Sequence, residues 1–148
     1  NQRSAFRLQQ MGMVYQSFNF LPGLSVYENC IVPALMLGTP LSMIKKRLDK
    51  LATSFRIIHI LEQLPMYVSG GELQRAAIVR ALINSPSIVL ADEPSGNLDT
   101  ENRDIIFETF QSIVRHEDVL IIMTSHDPEA KNIVDTSYEL NDGQLTHG

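Results

Sequence analysis

Two short stretches of continuous apolar residues constrain the fold of this chain more than any other feature. They run from Ile88 to Ala91, in SIVLADEP, and from Val119 to Met123, in VLIIMTSH. Strands that are apolar at every position, rather than at alternate positions, are typical of a parallel sheet that is buried on both faces. A third apolar segment, MGMVYQ, runs from Met11 to Gln16. Strands that alternate with helical segments predict an α/β fold.

Helical periodicity fills most of the chain between these strands. Val26 to Gly38 is apolar and contains Pro33, which predicts a short helix that is kinked or broken. Apolar residues at helical spacing follow from Leu41 to Leu61, and Pro65 closes this helical section. Two further helices are predicted over 71–84 and 100–116. A helical insertion of about residues 25–84 therefore interrupts the predicted sheet.

The composition excludes several classes of protein. The 148 residues are 44% hydrophobic, which suits one domain with a core. The net charge of −5 argues against a nucleic-acid binder. Cys30 is the single cysteine of the sequence, so an internal disulfide is excluded. No apolar run is long enough for a membrane span, and no signal peptide is expected.

Polar residues stand at the carboxyl ends of the predicted strands, where open parallel sheets bind their ligands. Gln16 ends the first strand, Asp92 and Glu93 end the second, and Ser125 and His126 end the third. An acidic pair after an apolar strand suits phosphoryl transfer to water. One acid holds Mg²⁺ and the other orients or deprotonates the attacking water. The alternative interpretation of Asp92 and Glu93 is a charged turn after the strand. The alternative for His126 is a structural histidine.

Two glycines stand at the start of the helix in YVSGGELQRAAIVRAL. Ser69 and Glu72 have the spacing of a capping box, which needs no glycine. Gly70 and Gly71 would each cost roughly 0.5–1 kcal/mol relative to alanine in a helical turn. A helix N-terminus binds phosphate, and glycine lets the phosphate approach the backbone. The glycines therefore predict an anion site.

These segments resemble, in order and spacing, the motifs of ATP-binding cassette (ABC) ATPases. VSGGELQRAAIVRAL resembles the signature motif, with valine where leucine is usual, and SIVLADEPSGNLD resembles the Walker B strand and the D-loop. VYQSFNFLPGLSVYEN is similar to the Q-loop and its sequel, and IIMTSHD to the switch-histidine strand. The resemblance is strongest to the subgroup that includes lipoprotein-releasing, macrolide-efflux and cell-division ATPases, with Ser95 where that subgroup has threonine.

The resemblance implies a role for each residue at the strand ends. Gln16 would sense Mg²⁺ and the attacking water, and would couple to the membrane partner. Asp92 would support Mg²⁺, Glu93 would be the general base, and His126 would contact the γ-phosphate. The implied cofactors are ATP and Mg²⁺.

The same resemblance assigns other residues to a partner subunit. Ser69, Gly70, Gly71 and Glu72 would contact the γ-phosphate of ATP held by a second ABC ATPase subunit in a head-to-tail dimer. Asp99 would belong to the D-loop, which crosses that interface. A transmembrane permease would be the other partner, and it would hold the ATPase at the cytoplasmic face of the membrane. No nucleic acid is expected.

The Walker A loop of this family, G-x-x-x-x-G-K-[ST], lies before the Q-loop, and this sequence has no Gly-Lys pair. The resemblance therefore implies the C-terminal part of a P-loop NTPase (RecA-like) parallel sheet with an inserted helical subdomain. One incomplete ABC ATPase domain would cover residues 1–148, with a core of 1–24 and 85–148 and a helical subdomain of 25–84. The chain alone is expected to be inactive. A non-catalytic remnant that binds a partner cassette, and a soluble ABC ATPase without a transport role, remain as alternatives.

Overall fold

Helices and strands alternate along the chain in a computed structural model that describes residues 2–96 and 98–147, without the side chain of Gln2. The helices are α1 (Gln2–Gln10), α2 (Val26–Met36), α3 (Leu41–Ser54), α4 (Gly70–Leu82) and α5 (Thr100–Glu117). The strands are β1 (Met11–Tyr15), β2 (Ile88–Asp92), β3 (Leu120–Thr124), β4 (Tyr138–Asn141) and β5 (Gln144–His147). Short 3₁₀ turns span Ile58–Ile60, Pro65–Tyr67 and Pro128–Ile133. None of the helices described is both long and apolar enough to cross a membrane.

The first three strands form a parallel sheet in the order β1-β2-β3. Their residues pair in straight rows across the sheet. The row at the carboxyl edge joins Tyr15 to Asp92 and Asp92 to Thr124. The predicted α/β fold with a parallel sheet is therefore confirmed, and the three strand ends lie side by side.

One face of this sheet carries the hydrophobic core. Both crossovers move the chain in the same direction across the sheet, so right-handed connections place α4 and α5 on the same face. Val14, Val89 and Ala91 point to that face and are buried. On the opposite face of β3, Leu120 and Ile122 remain 57% and 52% exposed. The expectation that this strand is buried on both faces is therefore wrong for the described part of the chain, in which β3 is an edge strand.

The helices between β1 and β2 share the core of the sheet. A single cluster of buried residues includes members from α2, α3, α4, the sheet and α5, among them Val26, Leu48, Ile78, Val89 and Ile106. Gly12 permits the closest approach of helix and sheet, since a Cβ atom there would lie 2.6 Å from the carbonyl oxygen of Ala81. Helix α4 is thereby packed directly against β1.

Two helix predictions need correction. Pro33 lies inside α2, yet the helix continues through it to Met36, so the predicted break is not seen. The helical section predicted to reach Leu61 ends instead at Ser54. Arg56 adopts a left-handed conformation with φ of 55°, which ends the helix and returns the chain toward the core. The remaining buried residues of that section are Ile57, Ile60 and Leu61, in and beside the following 3₁₀ turn.

A hairpin lies near the end of the described chain. Strands β4 and β5 pair antiparallel as a separate two-stranded sheet. Asp142 and Gly143 join them with φ of 48° and 76°. Two consecutive left-handed residues give the turn whose twist suits a tight hairpin.

Candidate functional site

The structure brings four of the sequence-predicted side chains to the carboxyl edge of the sheet. Gln16 and Glu93 directly follow the row of Tyr15 and Asp92, and His126 follows β3 by two residues. Since parallel strands present all their carboxyl ends on one edge, the order of the three strands is enough to gather these groups.

Thr124 joins the two acids. Its hydroxyl donates to Oδ1 of Asp92 at 2.8 Å. The N–H of Glu93 donates to the carbonyl oxygen of Thr124 at 3.2 Å and lies 3.3 Å from its hydroxyl oxygen. Glu93 has a φ of 45°, so the chain turns sharply at the end of β2. The sequence analysis did not identify Thr124, although its position at the end of β3 was a usable signal.

Glu93 is also held by the segment after β3. The N–H of His126 donates to Oε2 of Glu93 at 3.3 Å, and the His126 ring nitrogen Nε2 lies 3.5 Å from Oε1. The side chain of Glu93 is mostly buried, whereas that of His126 is 99% exposed. An exposed imidazole beside a held carboxylate is free to meet a ligand that arrives from solvent.

Gln16 lies on the other side of Glu93, near Gly96. A Cβ atom on Gly96 would stand 3.0 Å from Nε2 of Gln16 and 3.6 Å from Cβ of Glu93. A cavity of about 290 Å³ opens at this edge. It is lined by Glu93, Ser95, Gly96, Leu98, Thr100, Arg103, His126 and Asp127. The edge thus brings a carboxylate and an imidazole to one cavity, and the amide of Gln16 lies next to Gly96 in the cavity wall.

Asp92 has the properties of a ligand that supports Mg²⁺. It is exposed, and its second oxygen, Oδ2, bonds to no described residue. Among the described residues no group of three or more His, Cys, Asp or Glu could hold a metal by itself. Mg²⁺ retains several waters and binds through one or two carboxylates together with substrate phosphates. The residues present therefore fit a metal that completes its shell with water and phosphate oxygens.

The turn before α4 forms the capping box that the sequence predicts. Oε2 of Glu72 accepts from the N–H of Ser69 at 3.2 Å and from the Ser69 hydroxyl. Oε1 of Glu72 lies 2.8 Å from Nε2 of His59. The hydrogen bond from the Ser69 hydroxyl is the main cause that lowers the pKa of Glu72, and His59 adds to it. The backbone N–H groups of Gly70 and Gly71 donate to no described residue, and Gly70 is exposed, so its N–H is available to an anion.

The structure requires glycine at position 71 for a packing reason that the sequence analysis missed. It is buried against α5, and a Cβ atom on it would lie 2.1 Å from Oδ1 of Asn102. Gly70 is exposed, and a Cβ atom there would meet Leu98 at an ordinary 3.8 Å. Close packing therefore explains Gly71 without an anion, whereas only Gly70 still needs another reason.

Asp99 caps α5. Its Oδ1 accepts from the N–H of Asn102 at 2.9 Å, and both of its oxygens accept from the Asn102 side chain. These hydrogen bonds lower the pKa of Asp99. The turn before α4 and the start of α5 are therefore neighbours, since Asn102 touches Asp99 on one side and Gly71 on the other.

The sequence analysis also missed Arg80, on α4. Its guanidinium donates to the carbonyl oxygens of Phe18 and Asn19, in the loop after β1. Phe18 and Asn19 have φ of 59° and 52°. Such left-handed residues cost of order 1–3 kcal/mol each unless their surroundings hold them. Arginine in an apolar stretch of a helix was the available signal.

Comparison with known families gives one match over most of the chain. The family model described as ABC transporter matches residues 1–96. The lipoprotein-releasing system ATP-binding protein LolD of Maricaulis maris is 38% identical over 97% of this chain and 63% of its own length. The ABC transporter ATP-binding protein YxdL of Bacillus subtilis is 39% identical over 95% of this chain and 54% of its own length. The chain thus spans less than two thirds of these relatives.

Solved structures agree with the fold. The dimeric structure of the bacterial ABC transporter cassette MJ0796 superposes with a TM-score of 0.85 at 26% identity, over 99% of this chain and 66% of that one. A post-hydrolysis dimer of the same cassette, bound to ADP and Pi, gives 0.85 at 25% identity. The cassette cbiO1 of Clostridium perfringens, described as part of the transporter complex cbiONQ, is 23% identical with a TM-score of 0.85 and supports the fold alone.

Proposed function

The chain belongs to the ABC transporter family of ATPases, and we propose that it forms part of an ATP-binding subunit that couples ATP binding and hydrolysis to transport. Its partners are a second ABC ATPase subunit and a transmembrane permease, which keeps it at the cytoplasmic face of the membrane. ATP and Mg²⁺ are its cofactors. No nucleic acid takes part.

The observation that carries this proposal is the arrangement around Glu93. Its carboxylate lies 3.5 Å from the His126 ring, and the amide of Gln16 lies near it at Gly96. The exposed Asp92 directly precedes Glu93 in the chain. In the proposed reaction Glu93 is the general base that takes a proton from the attacking water. Gln16 orients that water, and His126 donates to the terminal phosphate. Mg²⁺, held in part by Asp92, supplies charge stabilisation for the phosphate oxygens.

The signature turn serves the second nucleotide. Ser69 and Gly70 are exposed, and the unused N–H groups at the start of α4 point away from the helix. We assign Ser69, Gly70, Gly71 and Glu72 to the γ-phosphate of ATP bound by the partner subunit. Asp99, through Asn102, places the D-loop against the same turn. The dimeric structure of the similar cassette MJ0796 supports an arrangement of two subunits.

We further propose that residues 1–148 are one incomplete domain that lacks a P-loop. Residues 1–24 and 85–148 form its core, and residues 25–84 form its helical subdomain. The sequence has no Gly-Lys pair, so nothing in it replaces the lysine that holds the β- and γ-phosphates. Residues 1–148 alone are then inactive, and the complete subunit is active.

The test compares nucleotide binding and phosphate release in the complete subunit, with and without the substitution Glu93→Gln. Severe loss of hydrolysis with retained ATP binding supports the proposal, because the variant loses the base and keeps the phosphate contacts. Wild-type binding without hydrolysis would favour the non-catalytic remnant. Hydrolysis without any stimulation by a permease would favour the soluble ABC ATPase.

A further inference from the structure

The loop after β1 is attached to α4 through one side chain. The guanidinium of Arg80 donates to the carbonyl oxygen of Asn19 at 2.8 Å and to that of Phe18. It also lies over the ring of Phe20, 4.6 Å from the ring centre. Arg80 therefore contacts three successive residues of this loop.

These contacts act on a backbone that would not hold its shape by itself. Phe18 and Asn19 are both left-handed, and consecutive left-handed residues other than glycine are uncommon. Within the loop, the N–H of Phe18 donates to Tyr15 at 3.2 Å and the N–H of Asn19 to Ser17 at 2.6 Å. Both of those bonds are local. The two carbonyl oxygens meet a common donor only because the peptide groups are turned in this way.

The loop has a second anchor at its other end. Asn29 is buried in α2, and its side chain accepts from the N–H of Leu21 at 2.7 Å. It also donates to the carbonyl oxygens of Leu21, Leu24 and Ser25. Since Asn29 fixes the segment from Leu21 onward, Arg80 acts on the part of the loop that is closest to Gln16.

The contact also provides the guanidinium of Arg80 with hydrogen-bond acceptors. Arg80 is half-buried, and burial lowers its pKa from the usual value. A buried guanidinium needs hydrogen-bond acceptors, and the carbonyl oxygens of Phe18 and Asn19 are two of them. Loop and arginine therefore satisfy each other only in this conformation.

We propose that Arg80 is a positioning residue for ATP hydrolysis, which acts by holding the loop after β1 so that Gln16 stays beside Glu93. The inference rests on the proposed function, because that function gives Gln16 its task. The space between the Gln16 amide and Gly96 is narrow, since a Cβ atom on Gly96 would lie 3.0 Å from the Gln16 amide nitrogen. Helix α4 also begins at the signature turn. One helix thus connects the turn that faces the partner's nucleotide with the glutamine of its own site.

The test uses the complete subunit and four forms: wild type, Arg80→Met, Gln16→Ala and the double variant. Arg80→Met should speed amide hydrogen exchange in residues 17–20 and leave β2 unchanged. Its kcat should fall about 10- to 100-fold, as expected for a displaced catalytic group, with unchanged ATP affinity. The double variant should be no slower than Gln16→Ala, since both substitutions remove the contribution of a correctly placed Gln16 to hydrolysis. Arg80→Lys should fall between wild type and Arg80→Met.

Arg115→Met is the matched control. Arg115 is exposed in the last turn of α5, so its loss removes an equal charge without touching the loop. Its exchange rates and kcat should equal those of wild type.

Losses of kcat that add in the double variant, or unchanged loop exchange in Arg80→Met, would overturn the inference while the proposed function stands. If Arg80→Met does not fold, Arg80→Lys alone and with Gln16→Ala decides by the same criteria. A wild type that does not hydrolyse ATP would overturn the proposed function and this inference with it.

Discussion

Gly71 of α4 and Asn102 of α5 lie so close that a Cβ atom on the glycine would stand 2.1 Å from the amide oxygen and 3.3 Å from Cβ of the asparagine. The Asn102 side chain cannot turn away freely, because it donates to both carboxylate oxygens of Asp99. This contact joins the turn before α4 to the start of α5 within one chain.

We therefore expect Gly71→Ala to destabilise the fold and Gly70→Ala to leave stability nearly unchanged. Overpacking costs typically 1–3 kcal/mol, and Gly71 meets that condition. A Cβ atom on Gly70 would have ordinary contacts of 3.8 Å to Leu98 and 4.0 Å to Phe18. Urea unfolding of both variants measures the difference. Equal loss in both, or no recovery when Asn102→Ala is added to Gly71→Ala, would contradict the packing argument.

Replacement of Glu93 should separate binding from chemistry in the complete subunit. Glu93→Gln keeps the size of the side chain and removes the base, so hydrolysis should fall by roughly 10²–10⁴-fold with ATP binding retained. Two ATP-bound subunits should then stay together, which size-exclusion chromatography with ATP can detect. Glu108→Gln, at an exposed position of α5, is the control and should hydrolyse ATP normally. Normal hydrolysis in Glu93→Gln would remove this residue from the mechanism.

Residues 1–148 alone should release no phosphate from ATP above background. The reason is chemical, since the sequence has no Gly-Lys pair to hold the β- and γ-phosphates. A steady-state phosphate-release assay measures it. Turnover that Glu93→Gln abolishes in this same chain would show the expectation to be wrong.

Acid should weaken the start of α4 through Glu72. Hydrogen bonding to Ser69 holds the pKa of Glu72 below its ordinary value of 4.5 in the folded chain. The stabilisation is therefore fully present above pH 4.5 and is lost as the pH falls through the lower, folded value. The free energy of unfolding should be measured against pH for wild type and Glu72→Gln. The greater stability of wild type should disappear as the pH falls through that window. A constant difference between the two across the window would exclude this source of stability.

The exposed apolar residues of β3 should make residues 1–148 associate with themselves. Leu120 and Ile122 are more than half exposed on an edge strand of the described sheet, and open edges invite pairing with another chain. The double substitution Leu120→Thr and Ile122→Lys should reduce association in light scattering. Val114→Thr, at an exposed position of α5, should have no such effect. A monodisperse wild-type monomer with a sharp thermal transition would contradict this prediction.

The sheet could be predicted because each of its strands is a short apolar run in the sequence. Ile88 to Ala91 and the run after Val119 are too short and too apolar for surface helices, and polar residues end each of them. The gathering of Gln16, Glu93 and His126 at one edge follows from parallel strands alone. Periodicity also predicted α5.

Other features depend on contacts between distant residues, and periodicity does not contain them. The helix expected to reach Leu61 ends early because Arg56 turns left-handed where the core requires the chain to return. Pro33 leaves its helix unbroken. The reasons for Gly71 and Arg80 lie in residues far along the chain, at Asn102 and at Phe18 and Asn19. A single sequence shows that such residues are unusual and does not show what they touch.

The straight register of β1, β2 and β3 has a consequence for how sequences of this kind can vary in length. Gln16 and Glu93 each follow a strand residue of one shared row, formed by Tyr15, Asp92 and Thr124. Deleting one residue inside a strand would send the next side chain to the opposite face of the sheet, and deleting two would draw it back by about 7 Å. Substitutions of the apolar residues within the strands change only packing, whereas any change in strand length separates the groups of the site. Insertions and deletions should therefore be confined to the connections outside these three strands.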